Sequence, residues 1–70
     1  MRPIRLAIIG YGRFGRVHAL RARVHADFDL RCVIECDPAL RHAAQRDGFQ
    51  ALASLCELPH AVQAAVVVTP

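Results

Sequence analysis

The chain has no tryptophan, no lysine, a single tyrosine and only four glycines. With lysine absent, all nine basic residues are Arg; six acids oppose them, for a formal net charge of +3. Seven of the nine Arg precede Cys32, so the first half is basic. Clustered Arg attracts phosphate, but a nucleic-acid groove also needs a series of stacking aromatics. Tyr11, Phe14, Phe28 and Phe49 are scattered singly. No nucleic-acid partner is expected, and the Arg residues read as a solvated helix face. Long apolar runs are also missing: Leu6 to Gly10 and Ala64 to Val68 are strand-sized, far short of the ~18 residues a membrane-spanning helix requires. The apolar stretch after Arg5 stops at Gly10 and runs into Arg13 and Arg16, too short and too charged for a secretory leader. No membrane partner is expected, and a cytoplasmic location is. The three cysteines include no CxxC pair. Cys32 and Cys36, if extended, stand up to ~13 Å apart, whereas a disulfide needs Cα atoms within ~7 Å. All three read as reduced thiols. No metal site is expected, because His18, His25, His42 and His60 show no ligand spacing with them.

Seventy residues lie below the roughly 100 to 200 of a typical domain. A compact chain of this size hides only roughly 60% of its unfolded surface, which is marginal for independent stability. Yet 54% of the residues are hydrophobic and 21% charged, the composition of a core-former and not of a disordered tail. A single unit over residues 1–70 is expected, leaning on a partner or forming part of something longer.

Ile4 to Ile9 is a β-branched run, nearly continuous in apolar residues from Leu6, as in a parallel strand covered on both faces. A helix to about Ala26 follows the glycine-rich segment. Gly15, Ala19, Ala22 and Ala26 fall on one face of it, a stripe of small residues that lets a helix approach a sheet closely. Phe14, Val17 and Val24 adjoin that stripe as an apolar edge, and Arg13, Arg16, Leu20 and Arg23 form the wetter side. Asp27-Phe28-Asp29 predicts a turn, and Leu30 to Glu35 a second strand. Asp37-Pro38 offers an N-cap followed by proline at the first helical position, where a missing N–H costs nothing. Gly48 supplies a left-handed stop. Phe49 to Leu52 reads as a short strand, Ser54-Leu55-Cys56-Glu57 as a capping box opening a helical turn or two, and Ala64 to Thr69 as a further strand. This order predicts an α/β fold, a partial Rossmann-type doubly wound parallel sheet (βαβαβαβ) that stops after its fourth strand.

Three of the four glycines fall in Gly10-Tyr11-Gly12-Arg13-Phe14-Gly15. A GxGxxG string alone is weak evidence, but this one follows a strand and opens a helix. An acid, Glu35, also ends the next strand some 25 residues past Gly10. Gly10 permits the tight turn, Gly12 lets backbone approach a pyrophosphate, and Gly15 allows close helix–sheet packing. The free N–H groups around Arg13 and Phe14, with the positive helix end, form an anion site. A carboxylate at Glu35 can accept from both ribose hydroxyls of an adenosine and repels a 2'-phosphate, favouring NAD over NADP. Arg13 and Arg41 are the counterweight, since either could reach a 2'-phosphate.

The string from Ile4 to Ala19, the strand Leu30 to Glu35 with Asp37-Pro38, and the ending Ala65-Val66-Val67-Val68-Thr69-Pro70 together resemble the glucose-fructose oxidoreductase, inositol dehydrogenase and rhizopine-catabolism (Gfo/Idh/MocA) family. The resemblance implies an oxidoreductase that moves hydride between a nicotinamide cofactor and a sugar, polyol or related hydroxy compound. It places the ribose contact on Glu35 and the cleft wall on Thr69 and Pro70. It also places His18 near the cleft, with a buried structural histidine as the alternative. The cofactor-binding set is then Gly10, Tyr11, Gly12, Arg13, Phe14, Gly15, Glu35, Thr69 and Pro70, with no catalytic residue assigned. Members of the family continue into a second domain that carries a Glu-Lys-Pro motif and the acid/base groups. The expectation is therefore an amino-terminal half-domain whose substrate site lies elsewhere, and a full-length homo-oligomer. The rivals are a nucleotide-sensing module without chemistry and a non-functional truncation.

Overall fold

A computed structural model describes residues 2–59 and 61–69 of the chain. Four strands, β1 (Ile4–Ile9), β2 (Phe28–Ile34), β3 (Ala51–Leu52) and β4 (Ala64–Val67), form one sheet in the order β3-β2-β1-β4, every pairing parallel. Two helices, α1 (Arg13–Val24) and α2 (Pro38–Arg46), connect β1 to β2 and β2 to β3. A 3-10 turn at Leu55–Glu57 is the only helical element described between β3 and β4. This is the α/β, partial Rossmann-type architecture that the residue pattern predicts.

The small-residue stripe explains how α1 packs. Gly15, Ala19 and Ala22 are its buried positions, and with almost no side chain between helix and sheet the two backbones come close. The core then fills with Leu6 and Ile8 from β1, Val33 from β2, Ala44 from α2, and the rings of Tyr11 and Phe49. Pairing of β1 with β2 shifts by one residue between Leu6 and Ala7. The extra residue is Arg31, which stays exposed and pairs with Asp29 at 3.0 Å, while Cys32, Val33 and Ile34 turn inward. Helix α2 begins as its sequence dictates: the Asp37 carboxylate accepts from the Ala39 N–H at 2.9 Å, with proline in the first turn. It ends in a Schellman arrangement, Phe49 N–H to Ala44 O and Gly48 N–H to Gln45 O, both at 3.0 Å, with Gly48 at φ +95°.

Several boundaries differ from the residue pattern, for identifiable reasons. Helix α1 ends at Val24, not near Ala26, and Ala26 is exposed. Strand β2 begins at Phe28, so the expected turn narrows: Phe28 and Asp29 pair with Ile4 and Arg5 of β1. Strand β3 keeps only Ala51 and Leu52, because Phe49 is spent in the cap of α2 and in the core. Strand β4 stops at Val67. The Val68 N–H still bonds to Ile9 O, but Thr69 has left the ladder. The Ser54 helix is a single 3-10 turn, where the Glu57 carboxylate accepts from the N–H groups of Ala53 (2.7 Å) and Ser54 (3.0 Å).

The apolar edge expected on α1 is not buried. Phe14 is 69% exposed and Val24 83%, and Val17 is exposed as well. All of β4 is likewise exposed on the edge of the sheet. The total accessible surface of 4811 Å² accordingly exceeds the roughly 4,300 Å² of a compact protein of this mass.

Candidate dinucleotide-binding cleft

The order β3-β2-β1-β4 makes the gap between β1 and β4 a switch point. The chain leaves β1 toward β2 on one side, while β4 lies on the other. In open parallel sheets the crevice for a ligand opens there, beyond the carboxyl ends of the strands. A cleft of about 790 Å³ occupies this place, walled by the loops that follow β1, β2, β3 and β4.

Two glycines of the Gly10–Gly15 motif are required by the protein itself. Gly10 has φ +105°, and a Cβ there would stand 2.7 Å from the Val68 carbonyl oxygen. A Cβ on Gly15 would stand 2.0 Å from the Gly10 carbonyl oxygen, which only direct helix-to-loop contact explains. Gly12 differs. Its φ of −71° suits any residue, and a Cβ would meet nothing within 4 Å. The protein gives no reason for glycine at this position, whereas a ligand resting on the backbone would. Gly12 is also the N-cap of α1, where no side chain caps the helix and no acid stands in the first turn. The first intrahelical bond runs from the Arg16 N–H to Gly12 O at 2.9 Å. The amides of Arg13, Phe14 and Gly15 therefore lead the helix with no carbonyl four residues back to accept them, and Gly12, Arg13 and Phe14 line the cleft. An uncapped positive helix end beside a glycine opening suits an anion of phosphate type.

Glu35 sits at the same end of the sheet as this loop and is bonded to it. Its side chain is 9% exposed. One oxygen, Oε1, accepts from the Tyr11 N–H at 2.7 Å; the other, Oε2, accepts from the Asp37 N–H at 2.9 Å. The carboxylate thus ties the loop after β1 to the loop after β2, and each oxygen keeps a lone pair for a further donor. Arg41 turns back on the second loop, its Nη1 donating to the carbonyls of Glu35 (3.0 Å) and Cys36 (3.2 Å). Thr69 lines the cleft; Pro70 lies outside the described residues.

Tyr11 takes a different course from its neighbours. It does not line the cleft: its ring is buried at 2% exposure, edge-on to Phe49 with centroids 5.9 Å apart. Its hydroxyl donates to Asp47 Oδ2. Arg16 Nε donates to the same oxygen at 3.0 Å, and Arg23 donates to the Asp47 carbonyl while its guanidinium lies 4.6 Å above the Phe49 ring. Burial, reinforced by the bond to Asp47, pushes the Tyr11 phenol up to about 12. The Tyr11 hydroxyl, and then Arg16, hold the Asp47 carboxyl below its ordinary value.

Of the residues singled out from the sequence, the fold brings Gly10, Gly12, Arg13, Phe14, Glu35 and Thr69 to the cleft and sets Gly15 directly beneath the loop. His18 is neither near the cleft nor buried. It is exposed on α1 and borders a separate hollow of about 170 Å³ beside Ala22 and Val66, because its helix position faces away from the loop. The residue pattern does not single out the wall formed by Ala53, Ser54 and Leu55, nor Cys36 and Leu40. The signal for that wall was available: if Ala51 and Leu52 form a parallel strand, the loop after them must share the carboxyl end of the sheet. Among the described residues no three ligating side chains gather as a metal site would require, and no helix is long and apolar enough to cross a membrane.

Solved structures share this arrangement. An NAD-binding protein from Listeria innocua superposes with a TM-score of 0.86 at 26% identity, over 96% of this chain and 20% of its own. GenD2 from gentamicin A biosynthesis, solved in complex with NAD, gives 0.86 at 30% identity. The WlbA dehydrogenase from Chromobacterium violaceum, solved with NADH and UDP-GlcNAcA, gives 0.79 at 32%. Each of these last two is matched over 100% of this chain and 21% of its own, so the chain spans about one fifth of the proteins it resembles. No protein of curated function matches it. A family model described as an oxidoreductase family with an NAD-binding Rossmann fold matches residues 4–70, so the chain belongs to the Gfo/Idh/MocA oxidoreductase family, in the part of it that binds NAD.

Proposed function

We propose that the chain is the amino-terminal dinucleotide-binding half-domain of an oxidoreductase acting on a sugar, polyol or related hydroxy compound, with NAD preferred to NADP. The cofactor, when bound, supplies a carrier for the hydride exchanged with a substrate carbon. The chain's own residues bind and orient it. Gly12 leaves room for the pyrophosphate against the backbone, and the amides of Arg13 and Phe14, with the positive end of α1, stabilise its charge. Glu35 offers its remaining lone pairs to the adenosine ribose hydroxyls, and its negative charge disfavours a 2'-phosphate. Arg41 supports the same preference: its Nη1 is engaged by two backbone carbonyls and turned toward its own loop. Thr69 forms the opposite wall. No residue of the chain is assigned as the base that takes the hydroxyl proton; that group belongs with the substrate site, which we place outside residues 1–70.

The observation that carries this proposal is the pairing of an open, uncapped Gly12 with a carboxylate bonded to the same loop. Calorimetric titration of the wild type and Glu35→Ala with NAD and NADP tests it. Glu35→Ala also frees the Tyr11 amide, which affects both ligands alike, so the NAD-to-NADP ratio isolates the ribose contact. Loss of a charge-assisted hydrogen bond predicts that NAD weakens by about 10-fold or more relative to NADP. Equal weakening of the two would remove Glu35 from the ribose site.

A further inference from the structure

We propose that Tyr11 and Asp47 form a latch that presets the glycine loop for the pyrophosphate, acting as positioning residues that do not themselves touch the ligand. This rests on the dinucleotide site proposed above and adds the device that holds it in shape.

The loop between β1 and α1 consists of Gly10, Tyr11 and Gly12. Two of its three residues lack a Cβ, and glycine backbone has the most freedom to lose on ordering. Tyr11 is therefore the one loop residue whose side chain can anchor it. Its anchorage is double. The backbone N–H is held by Glu35 Oε1 at 2.7 Å, and the phenol, buried on the other side of the loop, donates to Asp47 Oδ2. Both partners flank α2, Glu35 before it and Asp47 as its C-cap.

Asp47 is itself well fixed. Its backbone N–H bonds to Ala43 O at 3.0 Å, the left-handed Gly48 follows it, and Arg16 and Arg23 of α1 both reach it. A loop tied in this way to two helices presents the Gly12 N-cap and the amides after it in one orientation before any ligand arrives. Binding is then spared the entropy of ordering two glycines, which is how preorganisation raises affinity. A buried phenol needs a hydrogen-bond partner in any case; what matters is which group supplies it. The hydroxyl bond to a capping residue 36 positions away joins the loop to α2 specifically.

The test separates ligands with and without a pyrophosphate. Wild type, Tyr11→Phe and Asp47→Asn are titrated with NAD and ADP by calorimetry and with adenosine by NMR chemical shifts, each after a thermal melt to establish folding. Tyr11→Phe keeps the ring and removes only the hydroxyl. The expected result is a loss of about 10- to 150-fold in affinity for NAD and ADP with adenosine unchanged, the range for one hydrogen bond to a charged group. Asp47→Asn should move the same ligands in the same direction, and serves alone should Tyr11→Phe not fold. The double variant should lose less than the product of the two single losses, because both act through one contact. Equal loss for ADP and adenosine, or no loss for either, overturns the latch. A folded wild type that binds neither ADP nor NAD overturns the dinucleotide site and the latch together, and its own titration distinguishes that result from the first.

Discussion

Replacing Gly12 by alanine should leave the fold intact and abolish tight dinucleotide binding. The added methyl meets no protein atom within 4 Å, and the φ of −71° is an ordinary one for alanine. Two backbone effects oppose each other. Alanine is a poorer N-cap than glycine by up to ~1 kcal/mol, while restricting the unfolded chain returns about 0.4–1 kcal/mol. The net change in stability is within ~1 kcal/mol, a shift in melting temperature of at most roughly 8 °C for a chain of this size. The same methyl projects into the space where the pyrophosphate would rest. Lifting the phosphates off two backbone amides costs about 3 kcal/mol or more, since hydrogen bonds to charged groups contribute ~1.5–3 kcal/mol each. That corresponds to ~150-fold or more in Kd. Calorimetric titration with NAD beside a thermal melt measures both quantities on one preparation. An alanine variant with wild-type affinity would show that no dinucleotide crosses Gly12. One that unfolds would show that the protein needs this glycine for itself.

Gly15→Ala should do the reverse and act on stability first. Its Cβ would stand 2.0 Å from the Gly10 carbonyl oxygen, against about 3.3 Å for a close C···O contact, so α1 must retreat by more than an ångström. Overpacking of this kind costs about 1–3 kcal/mol, and an unchanged urea midpoint would contradict the contact. Alkaline pH should loosen the loop. Tyr11 is raised from 10.0 to about 12 by burial and by Asp47, so its contribution is complete below pH 10 and lost as pH rises toward 12. Arg16, raised further by its bond to the Asp47 carboxylate, stays charged through that window. The buried Cys32 thiol, also raised by burial, adds an alkaline loss of its own, so Tyr11→Phe should remove only the part between pH 10 and 12; a profile unchanged in that window would place the titration elsewhere. On the acid side Asp47, lowered by the Tyr11 hydroxyl and Arg16, stabilises above the ordinary aspartate value of about 3.9, and that contribution disappears as pH falls below it.

Much of this protein is written in short-range pattern. The strand at Ile4–Ile9, the turn at Gly10, the small-residue stripe through Gly15, Ala19 and Ala22, the Asp37-Pro38 cap and the Gly48 stop each follow from sterics or hydrogen bonding among neighbouring residues, and each is present. The position of Glu35 beside the loop follows as well, because parallel strands joined by helices bring their carboxyl ends together. Tertiary structure alone decided the rest. Periodicity counts Phe14, Val17 and Val24 as apolar, but whether a flank of α1 is covered depends on which element lies beside it, and among the described residues these three stay exposed. Phe49 looked like strand and became core, since the cap of α2 turns it toward Tyr11. The bond from Tyr11 to Asp47 spans 36 residues and exists because α1 and α2 lie side by side. A pattern of neighbours can say which way a helix faces, but a contact between two helices is set by how both sit on the sheet, and that geometry exists only once the chain has folded.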